Sequence, residues 1–122
     1  MARLLVLQIA THTAAEIIAA RNLHPILGRQ LVASASSVPL NIAEGAGRFG
    51  RDRRNRTRFR LATVFVRRLQ HYRIAYGSCL EAKTTVEILV LSGRLDRGTG
   101  RRWWADLHRV GGMLWGLMKS LQ

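Results

Sequence analysis

From Phe59 to Val90 apolar residues return at helical spacing, at Phe59, Ala62, Val66, Leu69, Tyr72, Tyr76, Leu80, Val86 and Val90, with no proline between them. A continuous helix from Asp52 to Leu91 is about 60 Å long at roughly 1.5 Å per residue. That exceeds an ordinary bundle helix, so its N-terminal part is expected to fray or protrude. Its internal glycine, Gly77, reads as a place of close helix packing rather than a break.

Three further segments carry the same period. A first helix covers about Arg3 to Ala20, with Leu4, Leu7, Thr11, Ala14 or Ala15, and Ile18 recurring. His24-Pro25 ends it, because proline lacks a backbone donor and restricts the residue before it. A second helix begins near Ile26 and sets Leu27, Leu31, Ala35 and Val38 on one face. Pro39 either kinks it or sits early in a fresh turn capped by Ser36 and Ser37. Ser92-Gly93 and Gly98-Thr99-Gly100 bracket the link to a last helix, Arg101 to Leu121. Its inward stripe is Trp104, Leu107, Val110 or Gly111, Leu114, and Leu117 or Met118. Gly111, Gly112 and Gly116 weaken that helix but permit close approach of another backbone.

Trp103, Trp104 and Trp115 cannot share one narrow helical face, so at least one is a candidate for a subunit interface. The expected fold is all-α: an antiparallel up-and-down four-helix bundle, one domain over residues 1–122, with an arginine-rich extension of the third helix. No segment shows the alternation of a strand.

Charge narrows the function. The formal charge is +13, and 18 of the 20 basic residues are arginine. Such a field favours polyanions or an acidic protein partner. It is concentrated between Arg48 and Arg73, where ten arginines meet one acid, Asp52. Arg48, Arg51, Arg53, Arg54, Arg56, Arg58, Arg60, Arg67, Arg68 and Arg73 are therefore the candidate phosphate contacts, with Phe59 or Tyr72 able to stack on bases where exposed. Binding of this kind is strongly salt-dependent and weakly sequence-selective.

Other classes fit poorly. No window holds 18 uncharged apolar residues, and Gln8, Thr11, His12 and Glu16 interrupt the apolar N-terminus, so neither a membrane span nor secretion is expected and a cytoplasmic location is. The lone cysteine, Cys79, excludes an intrachain disulfide and reads as buried packing. His12, His24, His71 and His108 are scattered, and no metal or cofactor site follows from them. Gly45-Ala46-Gly47-Arg48-Phe49-Gly50 lacks the lysine and hydroxyl of a phosphate-binding P-loop, and Ser78 lacks a nucleophile elbow. No catalytic residues are expected.

Two blocks remain: Ser37-Val38-Pro39-Leu40-Asn41-Ile42-Ala43-Glu44-Gly45-Ala46-Gly47-Arg48, and Ile74-Ala75-Tyr76-Gly77-Ser78-Cys79-Leu80-Glu81. In the first, Asn41 can bond the backbone near Pro39, Glu44 can meet an arginine across a helix interface, and Gly45 and Gly47 allow close packing or a helix end. Preceded by Gln30-Leu31 and Ser34-Ala35, this block resembles the signature of the four-helix-bundle proteins encoded within ribosomal RNA intervening sequences. The second block, with Gly77, Ser78 and Glu81, is similar to that family's second signature.

The resemblance implies four antiparallel helices, commonly assembled as a ring-like homopentamer, with no established reaction. In fold the family is also similar to accessory proteins of diversity-generating retroelements, which form basic pentamers that engage nucleic acid and a reverse transcriptase. A shared bundle does not prove shared function. The chain departs from the family at Val32 and Ala33, where relatives usually carry an arginine pair. It also carries a surplus within Arg53 to Arg68 of about 14 residues, close to four helical turns or roughly 21 Å of added helix. Partial helix formation is expected there, ahead of a fold-back or of order acquired only on binding.

The expected function is a non-enzymatic homo-oligomeric adaptor that binds structured RNA or another nucleic acid, a reverse transcriptase being one possible protein partner. The alternative is a protein-interaction scaffold whose arginines serve oligomerisation or an acidic partner.

Overall fold

In the computed structural model the backbone is described for residues 2–51 and 58–122, and the side chains for 3–47 and 62–122. Four α-helices follow one another: α1 (Ala2–Ala19), α2 (Leu27–Arg51), α3 (Arg58–Leu91) and α4 (Arg97–Ser120). Sequence neighbours pack side by side and α4 closes back on α1, so α1 and α3 stand diagonally, each flanked by α2 and α4. This is the antiparallel up-and-down bundle, with no strand among the described residues. No helix of the described residues is long and apolar enough to cross a membrane.

The four helices bury one shared apolar cluster. On α2 the buried stripe is Leu31, Ala35, Val38 and Ile42, the face expected from its spacing. On α1 the core side is Val6, Ala10, Thr13, Ala14 and Ile17; of the expected stripe Ala14 is buried and Leu7 packs partly against the core, while Leu4, Thr11 and Ile18 lie outside, Leu4 and Ile18 being 56% and 57% exposed. Apolar residues occur all around α1, and spacing alone does not choose between its faces. On α4 the stripe is Gly100, Trp103, Leu107, Val110, Gly111, Leu114 and Met118, which corrects the inward choice of Trp104.

Helix ends have identifiable causes. His24 Nδ1 accepts from the backbone N–H groups of Ile26 and Leu27 at 3.2 and 3.1 Å and so satisfies orphan donors at the start of α2. Ser36 and Ser37 are not caps. They lie mid-helix, and α2 runs through Pro39. Ser36 Oγ donates to Val32 O at 2.6 Å, and Asn41 Nδ2 donates to Ser37 O at 2.9 Å, the bond to the backbone near Pro39 that the sequence suggested. After α3, Gly93 takes φ +78° in the short link, a conformation suited to glycine. Asp96 then caps α4 by accepting from Thr99 N at 2.8 Å. Gly98 to Gly100 therefore belong to α4 rather than to the link, and Gly100 is buried where a Cβ would strike Val90 Cγ2.

α3 is the longest helix, 34 residues or about 51 Å. From Ala62 to Arg67 none of its side chains is buried, and Arg68 is the first to enter the interior. The expected protruding start is thus seen as far as the described residues reach. Residues 53–57 of the expected arginine-rich extension lie outside them, as do the side chains of Phe59 and Arg60.

Glu16 ties α1 to α4. Its Oε2 accepts from Trp103 Nε1 and from Arg102 Nη2, both at 2.9 Å, while Oε1 lies 3.1 Å from His12 Nε2. The Trp103 bond first, then the Arg102 bond, lowers the carboxyl below its ordinary value of 4.5. A lowered folded-state pKa adds stability that is present above the unfolded value and lost as pH falls through the folded one. Glu16→Gln should therefore unfold at lower denaturant than the parent at pH 7, and the two curves should converge as pH falls through the lowered folded-state value of Glu16.

Candidate nucleic-acid interface and the polar seam beside it

The α2–α3 contact begins with glycine. A Cβ at Gly45 would lie 3.0 Å from Tyr72 Cε1 and 3.2 Å from His71 Cβ, so this position is where the two helices close on each other. Gly47, two residues on and so on the far side of the helix, meets nothing within 4 Å and is exposed, and neither glycine ends the helix. Gly45→Ala should therefore cost about 1 kcal/mol net, overpacking exceeding the gain in helix propensity, while Gly47→Ala should add up to about 1 kcal/mol. Chemical denaturation of the pair reads the opposite signs.

Around Gly45 the first block meets the third helix through polar groups. Arg68 Nε donates to Gly45 O at 3.2 Å. Farther along, Ser78 Oγ donates to Ser37 Oγ at 2.8 Å, and Asn41 Nδ2 donates to the same Ser37 Oγ at 3.0 Å. With Nδ2 so engaged, Asn41 Oδ1 is the acceptor for His71 Nδ1 at 3.0 Å, which places a proton of His71 on Nδ1. Ser37, Asn41, His71 and Ser78 thus form a chain of hydrogen bonds that ties α2 to α3. His71 bonds the amide and neither serine, so the seam does not set a base beside a hydroxyl.

Arg68 and Tyr72 form the inner wall at this end. Burial lowers the Arg68 pKa, and burial raises that of Tyr72 against the opposing pull of Arg68 and Arg3. Arg68 therefore packs α3 onto Gly45 instead of facing a phosphate. Tyr72 is 1% exposed, which removes it as a base-stacking platform. Arg67 and Arg73 are exposed on α3. Arg53, Arg54 and Arg56 lie outside the described residues, as do the side chains of Arg48, Arg51, Arg58 and Arg60. In the sequence these positions fall between Gly45 of α2 and Arg68 of α3, the two residues that the Arg68 bond joins.

The remaining members of the two blocks separate. Pro39 and Glu44 are half-buried on α2. Gly77 and Glu81 lie on the exposed side of α3, and a Cβ at Gly77 would meet nothing within 4 Å of its own chain, so Gly77 serves no packing inside the bundle. Cys79 is fully buried, its Sγ donating to Leu107 O at 2.9 Å, and burial pushes its thiol up to about 11. That is the packing role expected of it.

The tryptophans divide as well. Trp103 is 2% exposed and held by Glu16, which excludes it as an interface residue. Trp104 donates to Glu87 Oε1 at 2.7 Å and stacks on His108 at 4.8 Å between ring centres, with Lys83 Nζ 5.0 Å from its own centre. Trp115 is exposed over half its surface and leans on Tyr76. The Glu16 and His24 contacts escaped sequence reasoning, because both residues were read only as polar interruptions or scattered histidines.

No family model matches the chain, and no curated protein does. A solved structure matches: a protein of unknown function from the S23 ribosomal protein family of Bacteroides thetaiotaomicron VPI-5482. It aligns with a TM-score of 0.77 at 16% identity, covering 98% of this chain and 99% of that one. The likeness shows the fold. Among the described residues no group of three or more His, Cys, Asp or Glu is placed to hold a metal ion.

Proposed function

We propose that the protein is a non-enzymatic homo-oligomeric adaptor that binds structured RNA or another nucleic acid through its arginine-rich end. The observation that carries this reading is the concentration of ten arginines and one acid between Arg48 and Arg73, joined to a bundle end at which Arg67 is exposed. Arginine pairs with phosphate through a planar fork, and several copies in one assembly multiply the field each chain supplies. The resemblance of the two blocks to the intervening-sequence proteins supports a pentamer as the assembly, and the polar interruptions at Gln8, Thr11, His12 and Glu16 support a cytoplasmic setting. A reverse transcriptase is a further partner by the more distant likeness to retroelement accessory proteins.

Fluorescence anisotropy with a short structured RNA tests this directly. Affinity that falls steeply between about 50 and 200 mM salt supports phosphate contacts. Salt-independent binding, or none at low salt, overturns them.

One observation favours a second reading, a scaffold for an acidic protein partner. Val86, Val90, Leu91, Gly100 and Trp104 line an apolar groove of about 320 Å³ between α3 and α4, together with Arg97, Arg101 and one acid, Glu87, which is held by Trp104. An apolar anchor flanked by acids fits that chemistry.

A further inference from the structure

α1 carries two stripes without formal charge, and the bundle buries one. The other, Leu4, Gln8, Thr11, Ala15 and Ile18, apolar at its ends and polar between, is exposed along its whole length at alternating spacings of four and three. It bears no formal charge in a chain of net +13. Between residues 4 and 20 the one formally charged side chain is Glu16, and that is held by Trp103 and Arg102 of α4. Depletion of charge on an exposed apolar face is the mark of an interface core.

A matching stripe runs along the outside of α3. Ile74, Gly77, Glu81, Thr84 and Ile88 are exposed at alternating spacings of three and four. Both stripes span the same number of residues, about 21 Å of helix. Because α1 and α3 are diagonal, the two face opposite ways out of the bundle.

They also lie at matching heights. Arg3 acts on Arg68 and Tyr72, which sets the start of α1 level with that part of α3. Farther along, Glu16 bonds Trp103 while the adjacent Trp104 bonds Glu87, which sets Glu16 level with Glu87.

We infer that the outer stripe of α1 docks in parallel on the outer stripe of α3 of a second copy of this chain. This rests on the homo-oligomeric part of the proposed function and names its surface. In that register Leu4 meets Ile74, Ile18 meets Ile88, and Gln8 packs over Gly77, whose missing side chain leaves the room. The centre of each stripe is polar, so Thr11 donates its hydroxyl to Glu81. Each copy offers two unlike faces, so contact is head-to-tail and does not stop at two. Matching heights join the copies without a rise along the bundle axis, the condition that a closed ring needs.

The test uses Ala15→Arg and Ile88→Arg, each on an exposed position of the intact chain, with mass from light scattering in nucleic-acid-free buffer and helicity from circular dichroism. Each variant alone should fall to the single-chain mass with helicity kept. Mixed one to one they should form a dimer, since one keeps an intact α3 face and the other an intact α1 face.

If the parent assembles but either variant keeps the parent mass, or the mixture stays single-chain, the docking surface is wrong while the oligomeric reading stands. A single-chain parent overturns both. Should either arginine variant lose helicity, mixing Thr11→Cys with Glu81→Cys under mild oxidation decides the matter. A disulfide between unlike variants supports the inference, and disulfides only between like variants, or none, refute it. The buried thiol of Cys79 stays out of that reaction.

Discussion

Replacing Arg51, Arg53, Arg54, Arg56, Arg58 and Arg60 together by glutamine should weaken binding to a short structured RNA by more than about 100-fold near physiological salt. The reason is counterion release. Each arginine that neutralises a duplex phosphate contributes about 0.9 to the slope of log affinity against log salt, so losing six contacts should flatten that slope by about 5. The oligomer mass should stay that of the parent. Parent affinity and slope in the variant would remove the nucleic-acid reading. A collapse of mass instead would assign these arginines to assembly, as the scaffold reading requires. Arg68→Gln should behave differently, because Arg68 is buried and bonded to Gly45 O: its loss should lower stability.

Trp103→Ala should destabilise the bundle by about 3–5 kcal/mol, the range for truncating a buried aromatic. Trp103 is 2% exposed, and its indole N–H holds Glu16, so the change opens a cavity and strips one of the two bonds that lower the Glu16 carboxyl. Trp104→Ala should cost less, about 1–2 kcal/mol, since the partly buried ring lies at the edge of the core and loses a hydrogen bond to Glu87 and its contacts with His108 and Lys83. Urea unfolding of the two variants side by side reads the contrast. Equal losses, or a larger loss at Trp104, would mean that α4 is turned by about one residue from the face described.

That adjacent pair shows what a single chain reveals of its fold. Helix number, order and the α2 face were legible, because Leu31, Ala35, Val38 and Ile42 are apolar against polar neighbours and one face stands out. α1 was legible as a helix but not in rotation: Val6, Ala10 and Ile17 compete with Leu4, Ala15 and Ile18, and the choice depends on which neighbours α1 meets. The stripe that periodicity detected there straddles the two sides, with Leu7 and Ala14 turned to the core and Leu4, Thr11 and Ile18 left outside by the bundle.

The two motif blocks were legible as blocks and opaque in their division of labour. Nothing in the spacing of Gly45, Gly47 and Gly77 tells that Gly45 alone of the three is pressed against a neighbouring helix, because that depends on Tyr72 and His71 from α3. In the same way Arg68 reads as one cation among ten, and only the fold turns it inward onto Gly45. The seam through Ser37, Asn41, His71 and Ser78 joins residues up to 41 positions apart, a distance over which composition carries no signal.

Light scattering coupled to size exclusion tests the central claim most directly, on protein stripped of nucleic acid in high salt and then titrated with a short structured RNA near physiological salt. The expected result is a pentamer mass before RNA and a salt-reversible increase with it. A single-chain mass, or a pentamer that ignores RNA at every salt concentration, would contradict the account.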